Sequence, residues 1–277
     1  MTARANPISL LRALPFLLLQ VASPASAQPA AAASTEPLDG RAIYERVTAN
    51  RYDSFVQRSD LISGDRAGNE QHMRLDMWYQ TFRGRDGEPL DGVIASKTAV
   101  RYTHPFDLRH TGYLVIQNQN RPNDQFVYRG SQRRIQRVNL RKEAVFGTDF
   151  SFEDLVPREI EDADYARDED AMLDGQTVYV VTAVPKPFAN SEYSKFQSYI
   201  DPERWVPVRV RYWDEAGVEV KELVSTDLEL RDRIWVPMRS RMNNLRGRTW
   251  TKLRVQKIEP NVDIKRHMFD LRRLESH

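Results

Sequence analysis

The sequence predicts a mainly β protein whose strands pair antiparallel, as a sandwich or a barrel. Apolar and polar residues alternate with a period of two over long stretches, and the second half reads as long strands joined by tight turns. No amphipathic helix lies between those strands to act as the crossover that a parallel sheet requires.

Taken in order, residues 1–27 have the three parts of a secretory signal. A cationic stretch carries Arg4 and Arg12 and no acid, an apolar run over residues 13–19 is interrupted only by Pro15, and Ala25-Ser26-Ala27 places cleavage before Gln28. The apolar run falls short of the roughly 20 residues that a spanning helix needs, so the leader is expected to be removed and the mature chain exported as a soluble protein. Residues 28–37 are rich in alanine and poor in large apolar groups, the composition of a flexible lead-in.

Asp39 is placed to cap a short helix in which Ala42, Ile43, Arg46 and Val47 share a side. The first clear strand follows, with Met73, Leu75, Met77 and Tyr79 on one face and His72, Arg74, Asp76 and Trp78 on the other. Further strands are expected over 93–102, 113–117, 125–128 and 134–139. The second half continues with strands over 177–184, 195–200, 206–213, 218–230, 234–244 and 249–258. Trp78, Trp213, Trp235 and Trp250 fall among charged residues on their strands. Either both faces of the sheet are covered, or the sheet curves round an apolar cavity for a greasy ligand.

Between the halves the alternation breaks at residues 146–155, FGTDFSFEDL. Ser151 or Asp149 can cap one helical turn, acids sit in that turn, and Pro157 stops it. So many aromatic groups on a short element need an apolar surface to cover, as a plug, a lid or a cavity wall. Arg133, Arg134, Arg137, Arg141 and Lys142 precede it and serve either as a solvated edge that discourages strand pairing or as a cationic rim. The carboxylate-rich stretch 159–170 lacks the spacing of a calcium loop and reads as an exposed connection.

The chemistry that can be excluded is broad. With no cysteine in 277 residues there are no disulfides, thiol nucleophiles, thiolate metal sites or lipidated N-terminal cysteine. Lys and Arg number 41 against 39 acids, and two of the arginines lie in the leader, so the mature chain is balanced and a basic field for nucleic acid is absent. There is no G-x-S-x-G elbow, no H-E-x-x-H pair and no phosphate-cradling glycine loop; His72, His104, His110, His267 and His277 lack ligand-like spacing. Glu153 and Asp154 are adjacent, which on a helix points them apart. No catalytic residue, metal or cofactor is expected.

One set of motifs goes further. Gln125-Phe126-Val127-Tyr128, then Arg133 to Val138 (RRIQRV), then Gly147 to Leu155 (GTDFSFEDL) resemble the strand pair and the G-S-D-F-S-Y-E-D-L stretch of the outer membrane lipoprotein-sorting family, relatives of the LolA and LolB carriers. Gly112-Tyr113-Leu114, Tyr193-Ser194-Lys195, Ile200-Asp201, Pro207-Val208-Arg209 and Ile234-Trp235-Val236-Pro237 also match, so the likeness spans residue 38 to the C-terminus as a single domain, 38–277. Phe126 stands where the family has tryptophan, the loop proline is missing at Gly130-Ser131-Gln132, and Gln136 replaces an arginine, which leaves a weaker cationic rim.

The resemblance implies a half-open antiparallel β-barrel with short helices packed in or across its concave face, enclosing an apolar cavity for acyl chains. It implies a monomeric periplasmic carrier in outer-membrane lipid or lipoprotein trafficking, with an exporter of the RND or MMPL type or an outer-membrane acceptor as partner. Phe146, Phe150, Phe152, Leu155, Trp78, Trp213 and Trp235 are the candidate ligand-binding residues, and Arg134, Arg137 and Arg141 the cationic rim. The alternatives are a lipid-acting hydrolase using the same cavity and a non-carrying accessory domain of an exporter.

Overall fold

A computed structural model describes residues 37–84, 87–119, 121–138 and 145–275. The expected signal, the lead-in as far as residue 36, and Arg141 lie outside them.

Among the described residues fourteen strands form the fold: β1 (Ser54–Gly64), β2 (Glu70–Thr81), β3 (Ile94–His104), β4 (Gly112–Asn118), β5 (Asp124–Arg129), β6 (Arg134–Val138), β7 (Ala163–Arg167), β8 (Ala171–Leu173), β9 (Gln176–Pro185), β10 (Lys195–Ile200), β11 (Pro207–Trp213), β12 (Glu219–Arg231), β13 (Ile234–Asn244) and β14 (Thr249–Pro260). They run β6-β5-β4-β3-β2-β1-β14-β13-β12-β11-β10-β9-β7, with β8 paired to β9. Every pairing is antiparallel, and only β1 with β14 joins strands distant in sequence. The sheet stays open, with β6 and β7 as its ends, so it is not a closed barrel.

Two parts of the sheet differ from the sequence reading. β1 is unannounced because neither of its faces is uniformly apolar: Ser59 and Ser63 share the inner face with Leu61, and a bulge between Arg58 and Ser59 shifts its register against β14. The stretch 159–170 is not an exposed connection. It holds β7, and Glu159 is buried with its carboxylate accepting two hydrogen bonds from Arg51 at 3.2 Å and lying 3.3 Å from Arg83. Charge hid this segment, because a buried ion pair looks like a solvated one in sequence.

The helix α1 (Gly40–Ala49) begins where expected, the Asp39 carboxylate accepting from the Ala42 N–H at 2.7 Å. Its buried side presents Ile43 and Tyr44, and the Tyr44 ring stacks on Tyr165 of β7 with centroids 4.4 Å apart. Gly40 permits this approach, since a Cβ there would lie 2.6 Å from the carbonyl carbon of Ala166. Gly40→Ala is therefore expected to push α1 off β7 and destabilise the fold by about 1–3 kcal/mol, the usual scale of overpacking, which chemical denaturation checks.

Two apolar clusters fill the inner face. One gathers α1 and the second-half strands around Phe196, Val210, Tyr212 and Met242; the other gathers β1–β5 around Leu61, Leu75, Tyr102 and Tyr113. Leu253 of β14 packs against both. A third cluster lies on the outer face of the first half, where the C-terminal segment contributes Ile264, Phe269 and Leu274 of α2 (Leu271–Glu275) and covers Ala99, Leu114 and Tyr128.

Candidate functional site

The segment that breaks the β pattern crosses the inner face and joins the two clusters there. Phe150 enters the first and Phe152 the second, where its ring lies 4.1 Å from that of Tyr113. Phe146 packs edge-on against both Tyr102 and Phe152. The chain turns at Phe146 and Gly147, which have positive φ, and turns again at Phe152, which is helical; Phe150 joins one cluster and Phe146 and Phe152 the other, so one short peptide holds both halves of the sheet.

Its polar groups fasten it. The buried Asp149 donates its N–H to Thr251 Oγ1 at 2.8 Å, and its carboxylate accepts from the hydroxyls of Thr249 and Thr251. Asp154 accepts from the Ser151 N–H at 2.8 Å and Oγ at 3.0 Å and from the Tyr193 hydroxyl at 3.1 Å. Glu153 accepts from Arg158 at 2.8 Å, Ser191 Oγ at 2.7 Å and the Glu192 N–H at 2.9 Å. Lys221 Nζ closes the network, 3.3 Å from Glu192 and 3.6 Å from Asp154. The Arg158 guanidinium lies 4.1 Å above the Phe196 ring. Burial alone would lower the Arg158 pKa, but Glu153, with Tyr212, Tyr44 and Asp154 adding to it, outweighs burial and raises it well above the ordinary arginine value. A segment held by so many buried polar contacts is a fixed wall rather than a mobile lid.

Beside this wall an open groove of ≈ 460 Å³ runs between α1 and strands β11–β14. Tyr44 and Val47 line it from the helix, Phe150 from the wall, and Trp205, Val210, Leu223, Trp235 and Leu253 from the sheet and its turns. Its cations, Arg51 and Arg158, are both ion-paired.

The candidate residues from the sequence divide accordingly. Phe150 and Trp235 line the groove; Phe146 and Phe152 pack into the neighbouring cluster, and Leu155 ends the turn Glu153–Leu155. Trp78 is on the outer face among the residues covered by the C-terminal segment, because its parity opposes that of Met77 and Tyr79. Trp213 likewise opposes the buried Tyr212 and is flanked by Lys195 and Arg211, whose charges lie 4.6 and 5.4 Å from its ring centroid. Arg134 and Arg137 are exposed on the end strand β6, away from the groove, with Arg137 paired to Asp124. Sequence reasoning missed Trp205, which sits in the turn between β10 and β11 and carries Arg46 at 4.6 Å from its ring centroid. A tryptophan in a tight turn was the available signal.

Behind the wall, burial raises the Asp162 carboxyl to about 6, with Glu159 and Glu153 adding to the shift and the Glu159 N–H and Arg158 opposing it. A carboxyl that binds its proton more tightly when folded stabilises the fold most below its unfolded pKa of about 4, and that contribution is lost as pH rises through about 6. Asp162→Asn, which mimics the protonated group, is expected to match the parent near pH 4 and to exceed its stability by about 2 kcal/mol near pH 7. Thermal unfolding at the two pH values checks this.

With the groove and wall in view, the chain can be set beside known proteins. A family model described as "-like: Uncharacterized protein" matches residues 95–276, more than half of the chain. The chain belongs to this family. No curated protein matches it in sequence. Among solved structures, an outer membrane lipoprotein-sorting protein domain from Vibrio parahaemolyticus is 20% identical, with a TM-score of 0.77 over 86% of this chain and 98% of that one. A DUF1329 family protein from Desulfovibrio piger is 19% identical, with a TM-score of 0.78 over 85% of this chain and 97% of that one. A LolA superfamily protein from Nitrosomonas europaea is 14% identical, with a TM-score of 0.67 over 85% and 99%. The family's fold in this chain is therefore the LolA-like one, an open antiparallel sheet with two short helices.

Proposed function

We propose that this protein is a periplasmic carrier that holds the acyl chain of a lipid or lipoprotein in the inner groove and delivers it in outer-membrane trafficking. The observation that carries the reading is an open groove with aromatic and aliphatic walls between α1 and the inner face of a LolA-like sheet. Each methylene buried there contributes about 0.8 kcal/mol, so about ten of them, most of one acyl chain, give tight yet reversible binding without covalent chemistry. The export leader expected from the sequence supports the periplasmic location. An exporter of the RND or MMPL type, or an outer-membrane acceptor, is the partner this reading supplies for loading or release.

Binding without catalysis is part of the same proposal. The groove's Asp154 is committed to Ser151, Tyr193 and Lys221, and Arg158 to Glu153, so these groups are occupied in holding the wall. A lipid hydrolase in the same groove predicts ester cleavage in mixed micelles. The carrier predicts instead that a fluorescent fatty acid is taken up stoichiometrically and returned unchanged; uptake that is absent, or product that is cleaved, would overturn it.

A further inference from the structure

The C-terminal segment covers the outer face of the first half, while the outer face of β1 and β12–β14 has a groove of its own, ≈ 520 Å³ in volume. Ile62 and Val224 form its apolar floor, and Arg239, Arg241, Lys252 and Arg254 surround it. All four cations are exposed. In the strand register Arg241 stands directly opposite Lys252, and Arg239 directly opposite Arg254. Like charges facing each other across a strand pair are destabilising on their own.

Few acids relieve them. Asp60, the carboxylate that lines this groove, is taken by Arg74 at 2.8 Å and by Gln256 at 2.6 Å. Arg239 is paired with Asp227 at 2.9 Å. Among the described residues no ion pair reaches Arg241, Lys252 or Arg254. Arg241 and Lys252 instead lie near the Trp250 ring, 4.9 and 4.5 Å from its centroid, and Arg241 also donates to Asn243 Oδ1 at 2.8 Å.

We propose that this outer groove is a docking site for the phosphate headgroups of anionic phospholipid at a membrane surface. Guanidinium forks match phosphate oxygens, and hydrocarbon beside the phosphate would meet Ile62, Val224 and the aliphatic stems of the cations. A protein segment adding itself as a strand is disfavoured here, because β14, β13 and β12 are interior strands whose backbone groups are already paired on both sides. The four cations lie on the face of these strands opposite the acyl groove, and Ser240 and Leu253 border both grooves.

The test is flotation of the full chain with vesicles of phosphatidylcholine alone and of phosphatidylcholine mixed with phosphatidylglycerol. Binding is expected only with phosphatidylglycerol and is expected to weaken as salt is raised. Lys252→Glu puts a carboxylate opposite Arg241, so the fold is expected to be at least as stable as the parent while vesicle binding falls by on the order of tenfold. Fatty acid uptake by this variant should be unchanged, which separates this site from the carrier reading. Equal binding to neutral vesicles or undiminished binding by a folded Lys252→Glu protein would overturn the proposal. So would capture of poly-glutamate or inorganic phosphate, lost in the variant, without binding to anionic vesicles.

Discussion

Arg158→Met is expected to lower stability by about 3 kcal/mol, near the lower end of the range for breaking a buried ion pair, because a fifth of the arginine side chain still meets the groove. Methionine preserves the contact with Phe196, so the loss reports the charge rather than the packing. What remains is Glu153, still largely buried and left with Ser191 and the Glu192 N–H, and Asp154, left with Lys221 as its cation. For a domain of this size the fall in Tm is roughly 10 °C. Adding Glu153→Gln to Arg158→Met should restore part of the stability, since it removes the carboxylate that the first change stranded. A loss below about 1 kcal/mol, with no recovery in the double variant, would mean that the wall is held by its aromatic groups alone.

The second large effect is on binding. Leu223→Arg places a long cation on the inner face of β12, beside Val210 and Leu253, where its stem fills the groove and its head reaches the open side. Displacing three or four methylenes of a bound chain at about 0.8 kcal/mol each weakens uptake by about two orders of magnitude. Leu223 is only partly buried, so the fold should survive, and a preserved Tm distinguishes a blocked groove from an unfolded one. Titration with a fluorescent fatty acid reads the change. Unaltered uptake would move the acyl site elsewhere in the molecule.

The fold was legible wherever one face of a strand was apolar and the other polar. Met73 to Tyr79 and the meander from β9 to β14 follow that rule, and the Asp39 cap marked the first helix. β1 escaped because small serines occupy inner positions, and β7 because its neighbourhood is charged although Glu159 is buried against Arg51 and Arg83. The site was legible in part. An aromatic segment in a break between strands pointed to Phe150, and parity arguments singled out tryptophans, but parity does not say which face is concave. Trp78 and Trp213 therefore fell on the outer side, while Trp235 reached the groove. Arg134 and Arg137 looked like a rim because they precede the wall in sequence; the open sheet carries them to its far end. The groove itself is assembled from α1, the wall, one turn and four strands, elements that lie far apart in the sequence.

The most direct measurement is native mass spectrometry of the protein purified from its native cells, run beside Leu223→Arg. The carrier reading predicts a population bearing one lipid-sized adduct that is lost in the variant. A parent protein that is uniformly free of lipid, and that also fails to take up a fatty acid after purification, would contradict it.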